Sequence, residues 1–229
     1  MKYLLVIPAR GGSKGLPGKN IYPFFGVPLI LWTIGAALES NVGDVVVTTD
    51  GEDIRKVASE YSNKISVIDR PHIYASDEIP LAPSIIHAYE TMTEPREGVV
   101  GVKYDVVVTL QPTSPLRNAQ DIRYAVKIFE ETKCDSLLSV CEDHHSVWER
   151  SPWGNIVPVK ERLSNRQNER PLYIANGAIF ITKKDILLKN RNRIGGKVEV
   201  YVMPQDRSFD IHTKEDIHFA ECFKRRGEA

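Results

Sequence analysis

Short apolar runs alternate with amphipathic segments along most of this chain. Apolar and β-branched residues predict strands at residues 3–7, 44–49, 65–68, 105–110, 136–140, 178–182 and 198–202. Residues that repeat with a helical period predict helices at 28–39, 52–61, 80–92, 119–132 and 214–225. Continuous apolar strands separated by helices are typical of a mostly parallel sheet that helices cover on both faces. We therefore expect one doubly wound, Rossmann-like α/β domain over residues 1–229.

The regular pattern breaks between residues 142 and 173. This stretch has no clean period and contains His144, His145, Trp148 and Trp153 among many charged residues. Aromatic residues in a polar, irregular insertion indicate a surface on which something packs; a loop that packs on itself is the alternative. The two histidines have no cysteine or histidine partner at zinc spacing, so we interpret them as loop residues.

Composition excludes several classes of protein. The 229 residues include 30 acidic and 30 basic side chains, and this balance argues against a general nucleic-acid or membrane-surface binder. The three cysteines show no CxxC spacing, which favours reduced thiols. The apolar run at residues 3–7 is shorter than a signal-peptide core, and no stretch approaches the ~18 apolar residues of a membrane span. We expect a cytoplasmic protein.

Positive charge is concentrated in the loop after the first predicted strand. Residues 7–20 contain four glycines together with Arg10, Lys14 and Lys19, and no acidic residue occurs before Glu39. Glycines let backbone N–H groups approach a polyanion closely, so this composition is typical of a phosphate-binding loop. A flexible surface loop with solvated cations is the alternative.

The loop matches neither of two well-known phosphate motifs. A Walker loop would need a glycine where Ser13 stands and a hydroxyl where Asn20 stands. The dinucleotide fingerprint would need a Gly-x-Gly pair at the right spacing before Gly18, and the chain has none. The loop therefore represents a different class of phosphate site.

Further polar residues follow the next strands at their predicted carboxyl ends. Asp50 follows the second strand, Arg70 the third and Gln111 the fourth. In an open α/β sheet, ligands bind beyond the carboxyl ends of the strands. We expect these residues and the glycine loop to meet at one edge of the sheet.

Two side chains near the end of the chain suggest a metal site. Asp210 and His212 are two residues apart on an extended segment, so they face the same way. Magnesium prefers oxygen ligands and is commonly held by one or two carboxylates with substrate phosphates and water. The spacing of Thr213 and Asp216 is typical of a capping box, so we assign Asp216 and its neighbour Glu215 to the final helix rather than to the metal.

Several motifs resemble those of the CMP-sialic acid synthetases, the acylneuraminate cytidylyltransferases. The resemblance rests on the sequences Pro-Ala-Arg-Gly-Gly-Ser-Lys-Gly-Leu-Pro-Gly-Lys-Asn in the loop and Gln-Pro-Thr-Ser-Pro-Leu-Arg from residue 111. Shorter matches are Thr-Thr-Asp at 48–50, Arg-Pro at 70–71, Arg-Gln at 166–167, Asn-Gly-Ala at 176–178 and Asp210. The resemblance implies that CMP passes from CTP to the anomeric hydroxyl of a sialic-type sugar acid, with release of pyrophosphate.

The same resemblance implies roles for individual residues. Lys19 would neutralise charge on the α-phosphate, Arg10 would help to hold the nucleotide, and Asp210 would hold the metal. The implied nucleotide-binding residues are Ala9, Arg10, Gly11, Gly12, Ser13, Lys14, Lys19, Asn20 and Asp77. The implied sugar-binding residues are Arg70, Gln111, Arg166, Asn176 and Phe180. On residue type alone, Asn176 also fits a turn and Phe180 a core position.

The chain departs from the family pattern at the metal. The family commonly has Asp-x-Asp where this chain has Asp210-Ile-His212. His212 offers a nitrogen in place of a carboxylate, so we expect Mg²⁺ on Asp210, with Mn²⁺ or a water held by His212 as alternatives.

The resemblance also implies a homodimer, in which residues 142–173 form an arm that reaches over the partner's active site. Phenylalanine at 180 and tryptophan at 148, where some members have tyrosine and lysine, leave legionaminic and pseudaminic acids open as acceptors. Three other functions compete with this hypothesis: a nucleotidyltransferase for another sugar, a non-catalytic nucleotide-sugar binder and a Rossmann-type oxidoreductase.

Overall fold

The computed structural model describes residues 1–76, 78–95, 101–145, 147–160 and 172–227. Its centre is a seven-stranded sheet with the strand order β11-β7-β10-β6-β1-β4-β5. The strands are β1 (Tyr3–Pro8), β4 (Asp44–Thr49), β5 (Ile65–Asp69), β6 (Val106–Leu110), β7 (Ser136–Asp143), β10 (Leu172–Lys183) and β11 (Val198–Val202). All neighbouring pairs are parallel except those of β10, which runs antiparallel to both β6 and β7.

Helices cover both faces of the sheet. They are α1 (Leu29–Ser40), α2 (Glu52–Tyr61), α3 (Ala82–Thr93), α4 (Ala119–Thr132), α5 (Lys184–Asn190) and α6 (Lys214–Gly227). One apolar cluster joins the sheet to α1, α2 and α4, and another joins the opposite face to α3 and α5. This confirms the predicted doubly wound fold. None of the helices in the described ranges combines the length and apolarity needed to traverse a lipid bilayer.

The local sequence explains where several elements begin and end. β1 is buried along its whole length, as expected for a central strand that both faces cover. The Asn118 side chain caps α4 by accepting a hydrogen bond from the Asp121 N–H, and Asp121 accepts one from the Asn118 N–H in return. α1 ends where Asn41 adopts a left-handed conformation with φ of 52°.

The structure differs from the prediction mainly after residue 140. The predicted strand at 178–182 is the second half of β10, which starts at Leu172 and changes register against β7 between Ala175 and Phe180. The irregular stretch also contains an antiparallel hairpin of β8 (Val147–Arg150) and β9 (Ile156–Lys160). Exposed strands of four or five residues bury little apolar area, so they leave only a weak sequence pattern.

Three further elements were not predicted because they are short. β2 (Pro23–Phe24) and β3 (Val27–Pro28) form a small antiparallel pair directly after the glycine loop. Helix α5 has seven residues, too few to display a helical period clearly.

The strand order places the loops that matter for binding. From β1 the chain continues outward through β4 to β5 and then returns to add β6 on the other side of β1. The order therefore reverses between β1 and β6, and the loops after these two strands open a crevice at their carboxyl ends. The glycine loop follows β1 and Gln111 follows β6, so both lie at this crevice.

Candidate active site

The glycine loop is held against the neighbouring strand. The backbone N–H of Ala9 donates to the Thr48 carbonyl at 3.0 Å, and that of Gly11 donates to Asp50 Oδ1 at 2.9 Å. Asn20, which is buried, donates from its side chain to the Arg10 carbonyl at 2.8 Å. These bonds hold both ends of the loop at the edge of the sheet, which argues against the flexible-loop alternative.

A cleft of about 340 Å³ lies between this loop and the ends of β5 and β6. Most of the residues singled out from the sequence line it: Arg10, Ser13, Lys19, Asn20, Arg70, Gln111, Asp210 and His212. Gly12 and Lys14 line an adjoining depression together with Arg10 and Ser13. Groups separated by up to two hundred positions in the chain therefore meet at one surface, as the strand-end argument predicts.

Three further candidates do not line the cleft, and two cannot be placed. Ala9 is fully buried in the core, and its backbone N–H is already bonded to β4. Asn176 and Phe180 are buried in β10 and do not line the cleft. Asp77 and Arg166 lie outside the described residues.

Lys19 and Asp210 lie on the same side of the cleft. Lys19 Nζ donates to the Ile211 carbonyl at 3.1 Å, so the ammonium reaches the segment that carries Asp210. Burial lowers the pKa of Lys19, and the nearby Asp210 carboxylate offsets part of that effect. A partly desolvated lysine beside one carboxylate is a strong electrostatic partner for a phosphate oxygen.

Asp210 has spare capacity to bind a cation. Its Oδ2 lies 3.1 Å from His212 Nε2, whereas its Oδ1 is buried without a hydrogen-bond partner among the described residues. A buried carboxylate oxygen without a donor fits a metal ligand. The described part of the chain contains no cluster of three or more acidic, histidine or cysteine side chains suited to a metal, so other ligands would have to come from substrate or water.

The segment that carries Asp210 is fixed by its neighbours. The Ile211 N–H donates to the Thr113 carbonyl at 2.8 Å, and the Ile211 side chain packs with Leu16 of the glycine loop in an apolar cluster. Asp216 accepts from the N–H groups of His212 and Thr213 at 2.9 and 2.8 Å. This confirms the prediction that Asp216 caps α6.

Gly177 joins the two sides of the site. It has a φ of +73°, and its carbonyl accepts a 2.8 Å hydrogen bond from Gln111 Nε2. A Cβ placed on Gly177 would lie 3.0 Å from Gln111 Nε2 and 3.2 Å from Asp210 Oδ2. Only glycine therefore lets β10 pass so close to both side chains.

Arg70 adds a buried cation to the cleft. Its Nη2 donates to the Thr48 carbonyl at 3.1 Å, and its Nε has no partner among the described residues. Burial lowers the pKa of Arg70 to about 10, and nearby Asp50 opposes the shift. The guanidinium remains charged at neutral pH and can bind a carboxylate or a phosphate.

Sequence reasoning missed part of the site. The wall opposite the glycine loop is built by Tyr74, Ala75, Ser76, Ile79 and Leu81, which connect β5 to α3. Residues 74–79 have no periodic pattern, and Asp77 was the only residue among them that was singled out from the sequence. Pro112 and Thr113 also line the cleft, and their place in the Gln-Pro-Thr-Ser-Pro-Leu-Arg motif could have identified them.

Arg117 of that motif is buried beneath the site. Its Nη1 donates to the carbonyls of Ala178 at 3.1 Å and Gln111 at 3.4 Å, so one guanidinium ties the end of β6 to β10. The Ser139 hydroxyl donates to Asn176 Oδ1 at 2.6 Å. Asn176 Nδ2 donates to the Ser208 hydroxyl at 2.9 Å. These contacts support the shape of β10 next to the cleft.

Comparison with known proteins is consistent with this geometry. A family model described as cytidylyltransferase matches residues 4–226. The chain is 36% identical to the CMP-N,N'-diacetyllegionaminic acid synthase of Legionella pneumophila, over 94% of this chain and 93% of that protein. It is 33% identical to an N-acylneuraminate cytidylyltransferase of Streptococcus agalactiae, over 94% of this chain and 52% of the relative. The chain thus spans about half the length of this second relative.

Solved structures share the fold. A CMP:2-keto-3-deoxy-manno-octonic acid synthetase complexed with CTP superposes with a TM-score of 0.71 at 15% identity, covering 99% of this chain and 100% of the other. The 4-diphosphocytidyl-2C-methyl-D-erythritol synthase of Anaerococcus prevotii superposes with a TM-score of 0.66 at 13% identity, covering 98% and 99%. At such low identity, these matches carry information about the fold alone.

Substitution of Gly15 tests whether the glycine loop and the Asp210 segment pack together. A Cβ on Gly15 would lie 2.7 Å from the His212 carbonyl oxygen, which is backbone and cannot rotate away. We expect Gly15→Ala to lower the free energy of unfolding by about 1–3 kcal/mol through overpacking. Gly12→Ala is the control, because a Cβ on Gly12 meets nothing within 4 Å. Urea denaturation of both variants measures the difference; equal stabilities would show that the two segments do not pack as described.

Proposed function

Because the chain belongs to the cytidylyltransferase family, we propose that it transfers CMP from CTP to a sialic-type sugar acid and releases pyrophosphate. The anomeric hydroxyl of a nine-carbon α-keto sugar acid would attack the α-phosphate. The observation that carries this proposal is the single cleft lined by Arg10, Lys19, Gln111 and Asp210. That cleft combines cations for a triphosphate with a polar wall for an acceptor.

The residues around the triphosphate act by position and charge. Lys19 would stabilise the negative charge that grows on the α-phosphate and on the departing pyrophosphate, since phosphoryl-type transfer depends mainly on such stabilisation. Arg10 and the glycines of the loop would hold the phosphate chain. Asn20, bonded to the Arg10 carbonyl, keeps the backbone beside Arg10 in place.

The acceptor would bind between Gln111 and Arg70. Gln111 is oriented by its hydrogen bond to the Gly177 carbonyl, which leaves its amide oxygen available for a sugar hydroxyl. Arg70 suits the carboxylate of the acid, or a phosphate oxygen of the nucleotide. Relatives of this chain are named for N-acylneuraminate, N,N'-diacetyllegionaminic acid and pseudaminic acid, so the acceptor belongs to the nonulosonic acids.

We propose Mg²⁺ as the metal, with Mn²⁺ as the alternative that His212 favours. The residues present fit such an ion. Asp210 Oδ1 has no hydrogen-bond partner among the described residues and could be the carboxylate ligand, and His212 offers a nitrogen beside it. A bound divalent cation would supply charge neutralisation at the phosphates. Asp216 is excluded as a ligand since its carboxylate caps α6.

We also propose that the protein works as a homodimer in the cytoplasm. The hairpin of β8 and β9 exposes Trp148 by 57% and Trp153 by 87%, with Ile156 and Val159 nearby in sequence. An exposed cluster of this kind is typical of an interface. Three free cysteines fit a reducing compartment.

One rival remains a second candidate, a protein that binds nucleotide-sugars without catalysis. It is favoured by a specific observation, the contact between His212 and Asp210 where the family commonly has two carboxylates. The assay of the main proposal separates these two functions.

Pyrophosphate release tests the proposed reaction. We expect release with CTP and at least one of sialic, legionaminic or pseudaminic acid, and much less with ATP, GTP or UTP. EDTA should stop the reaction, and Mg²⁺ or Mn²⁺ should restore it. Binding of CTP without any pyrophosphate would support the non-catalytic rival; no binding of CTP would refute both.

Gly177→Ala tests whether β10 sets the positions of Gln111 and Asp210. We expect kcat/KM to fall about 100-fold, because a displacement near 1 Å at reacting groups has that effect. Gly26→Ala is a matched control, since Gly26 has the same φ of +73° and a Cβ there meets nothing within 4 Å. Similar losses in both variants would mean that backbone strain, rather than the site, explains the effect.

Replacement of Trp148 and Trp153 by serine tests the dimer. We expect the wild type to sediment as a dimer at micromolar concentration and the double variant to sediment as a folded monomer, because the exposed aromatic surface is removed. A monomeric wild type in analytical ultracentrifugation would contradict the proposed assembly.

A further inference from the structure

A partly buried arginine, for which no counter-ion is found among the described residues, lies beside β10, the strand that borders the proposed acceptor site. Arg193 follows α5, and its guanidinium carbon lies 3.9 Å from the centre of the Phe180 ring. Its Nη1 is buried and has no hydrogen-bond partner among the described residues. Burial lowers the pKa of Arg193 to about 10, with no contribution from a neighbouring charge. Buried polar atoms normally have a hydrogen-bond partner, so Nη1 of this guanidinium has unused capacity to donate.

The Arg193 side chain extends toward the site. The Thr182 hydroxyl donates to the Arg193 carbonyl, which places the Arg193 backbone level with Thr182. The guanidinium, in contrast, lies over Phe180. On β6, Thr182 pairs with Val107 and Phe180 pairs with Thr109. The Arg193 side chain therefore extends toward the carboxyl end of β6.

Along β10, the guanidinium lies close to the residue that contacts the proposed site. Phe180 is three residues from Gly177, which corresponds to at most roughly 10 Å along a strand. Gly177 itself is in contact range of Gln111 and Asp210. A ligand that starts at Asp210 and follows β10 would therefore come to Arg193.

Phe180 acts in this arrangement as a platform. A guanidinium stacked on an aromatic ring keeps its N–H groups free in the plane, where they can donate to a ligand. This accounts for Phe180 being buried rather than lining the cleft. It also gives Phe180 an indirect role beside the acceptor.

We propose that Arg193 binds oxygen atoms of the acceptor that are remote from the reacting carbon, and so discriminates among sugar acids. This inference rests on the proposed function. The carboxylate of a 2-keto acid is attached to the anomeric carbon, which must lie near Lys19 and Asp210 during transfer. Arg193 is therefore placed for the other end of the molecule, where nonulosonic acids carry hydroxyl and acylamino groups.

Arg193→Met tests the proposal, because methionine keeps much of the apolar stem and removes every N–H donor. We expect KM for the preferred acid to rise about 10- to 100-fold, the effect of losing hydrogen bonds from a charged group. KM for CTP should stay within about twofold, since the nucleotide binds elsewhere. Arg191→Met is the control, because Arg191 is exposed in the same turn, and it should leave both KM values unchanged.

Two further measurements keep the outcome decisive. Arg193→Lys keeps the charge and loses the planar fork, so its KM for the acid should rise less than in the methionine variant; it replaces that variant if methionine prevents folding. Folded variants with wild-type KM for every acid, or with equal changes for acid and CTP, would overturn the role of Arg193. A wild type that releases no pyrophosphate with any acid would refute the proposed function instead.

Discussion

The site depends on one packing contact between two distant parts of the chain. The glycine loop lies against the segment around Ile211, and the contact combines three kinds of interaction. Leu16 and Ile211 share an apolar cluster, Lys19 donates to the Ile211 carbonyl, and Gly15 leaves room for the carbonyl of His212. Because the loop supplies the cations and the segment supplies the carboxylate, this contact sets the distance between opposite charges in the cleft. Because the cluster is buried and closely packed, the distance between these charges is fixed by the packing of the core.

A second constraint comes from β10, the one strand of the main sheet that runs against its neighbours. Its change of register after Ala175 brings Gly177 beside Gln111 and Asp210. Arg117 is fully buried, and its guanidinium donates to the carbonyl of Gln111 after β6 and to that of Ala178 in β10. A bulge in a strand re-aims side chains at a site without disturbing the rest of the sheet. In this protein β10 passes beside the metal candidate Asp210 at Gly177 and beside Arg193 at Phe180, three residues further along.

In the proposed function, the two sides of the cleft have different tasks. The proposed nucleotide side consists of cations and backbone in the glycine loop, whose Ala9 and Gly11 N–H groups donate to the Thr48 carbonyl and the Asp50 carboxylate. The proposed acceptor side consists of side chains: Arg70 after β5, Gln111 after β6, and the pair of Phe180 and Arg193. Side chains change more readily than a backbone cradle, which is consistent with relatives named for several different sugar acids. Arg193 lies on the acceptor side.

The sequence alone determined the fold class, the strands of the main sheet apart from the first half of β10, and the edge of the sheet at which the candidate binding residues gather. Uninterrupted apolar runs are buried in any fold that contains them, and parallel strands all present their carboxyl ends at the same edge. The glycine loop, Asp210 and the capping role of Asp216 were predictable because each depends on residues close together in the chain. The tertiary structure alone decided that Asn176 and Phe180 do not line the cleft, that Tyr74, Ala75, Ser76, Ile79 and Leu81 do, and that Arg193 reaches Phe180. These outcomes depend on which strand lies beside which and on a shift of register, and neither leaves a periodic trace in the sequence.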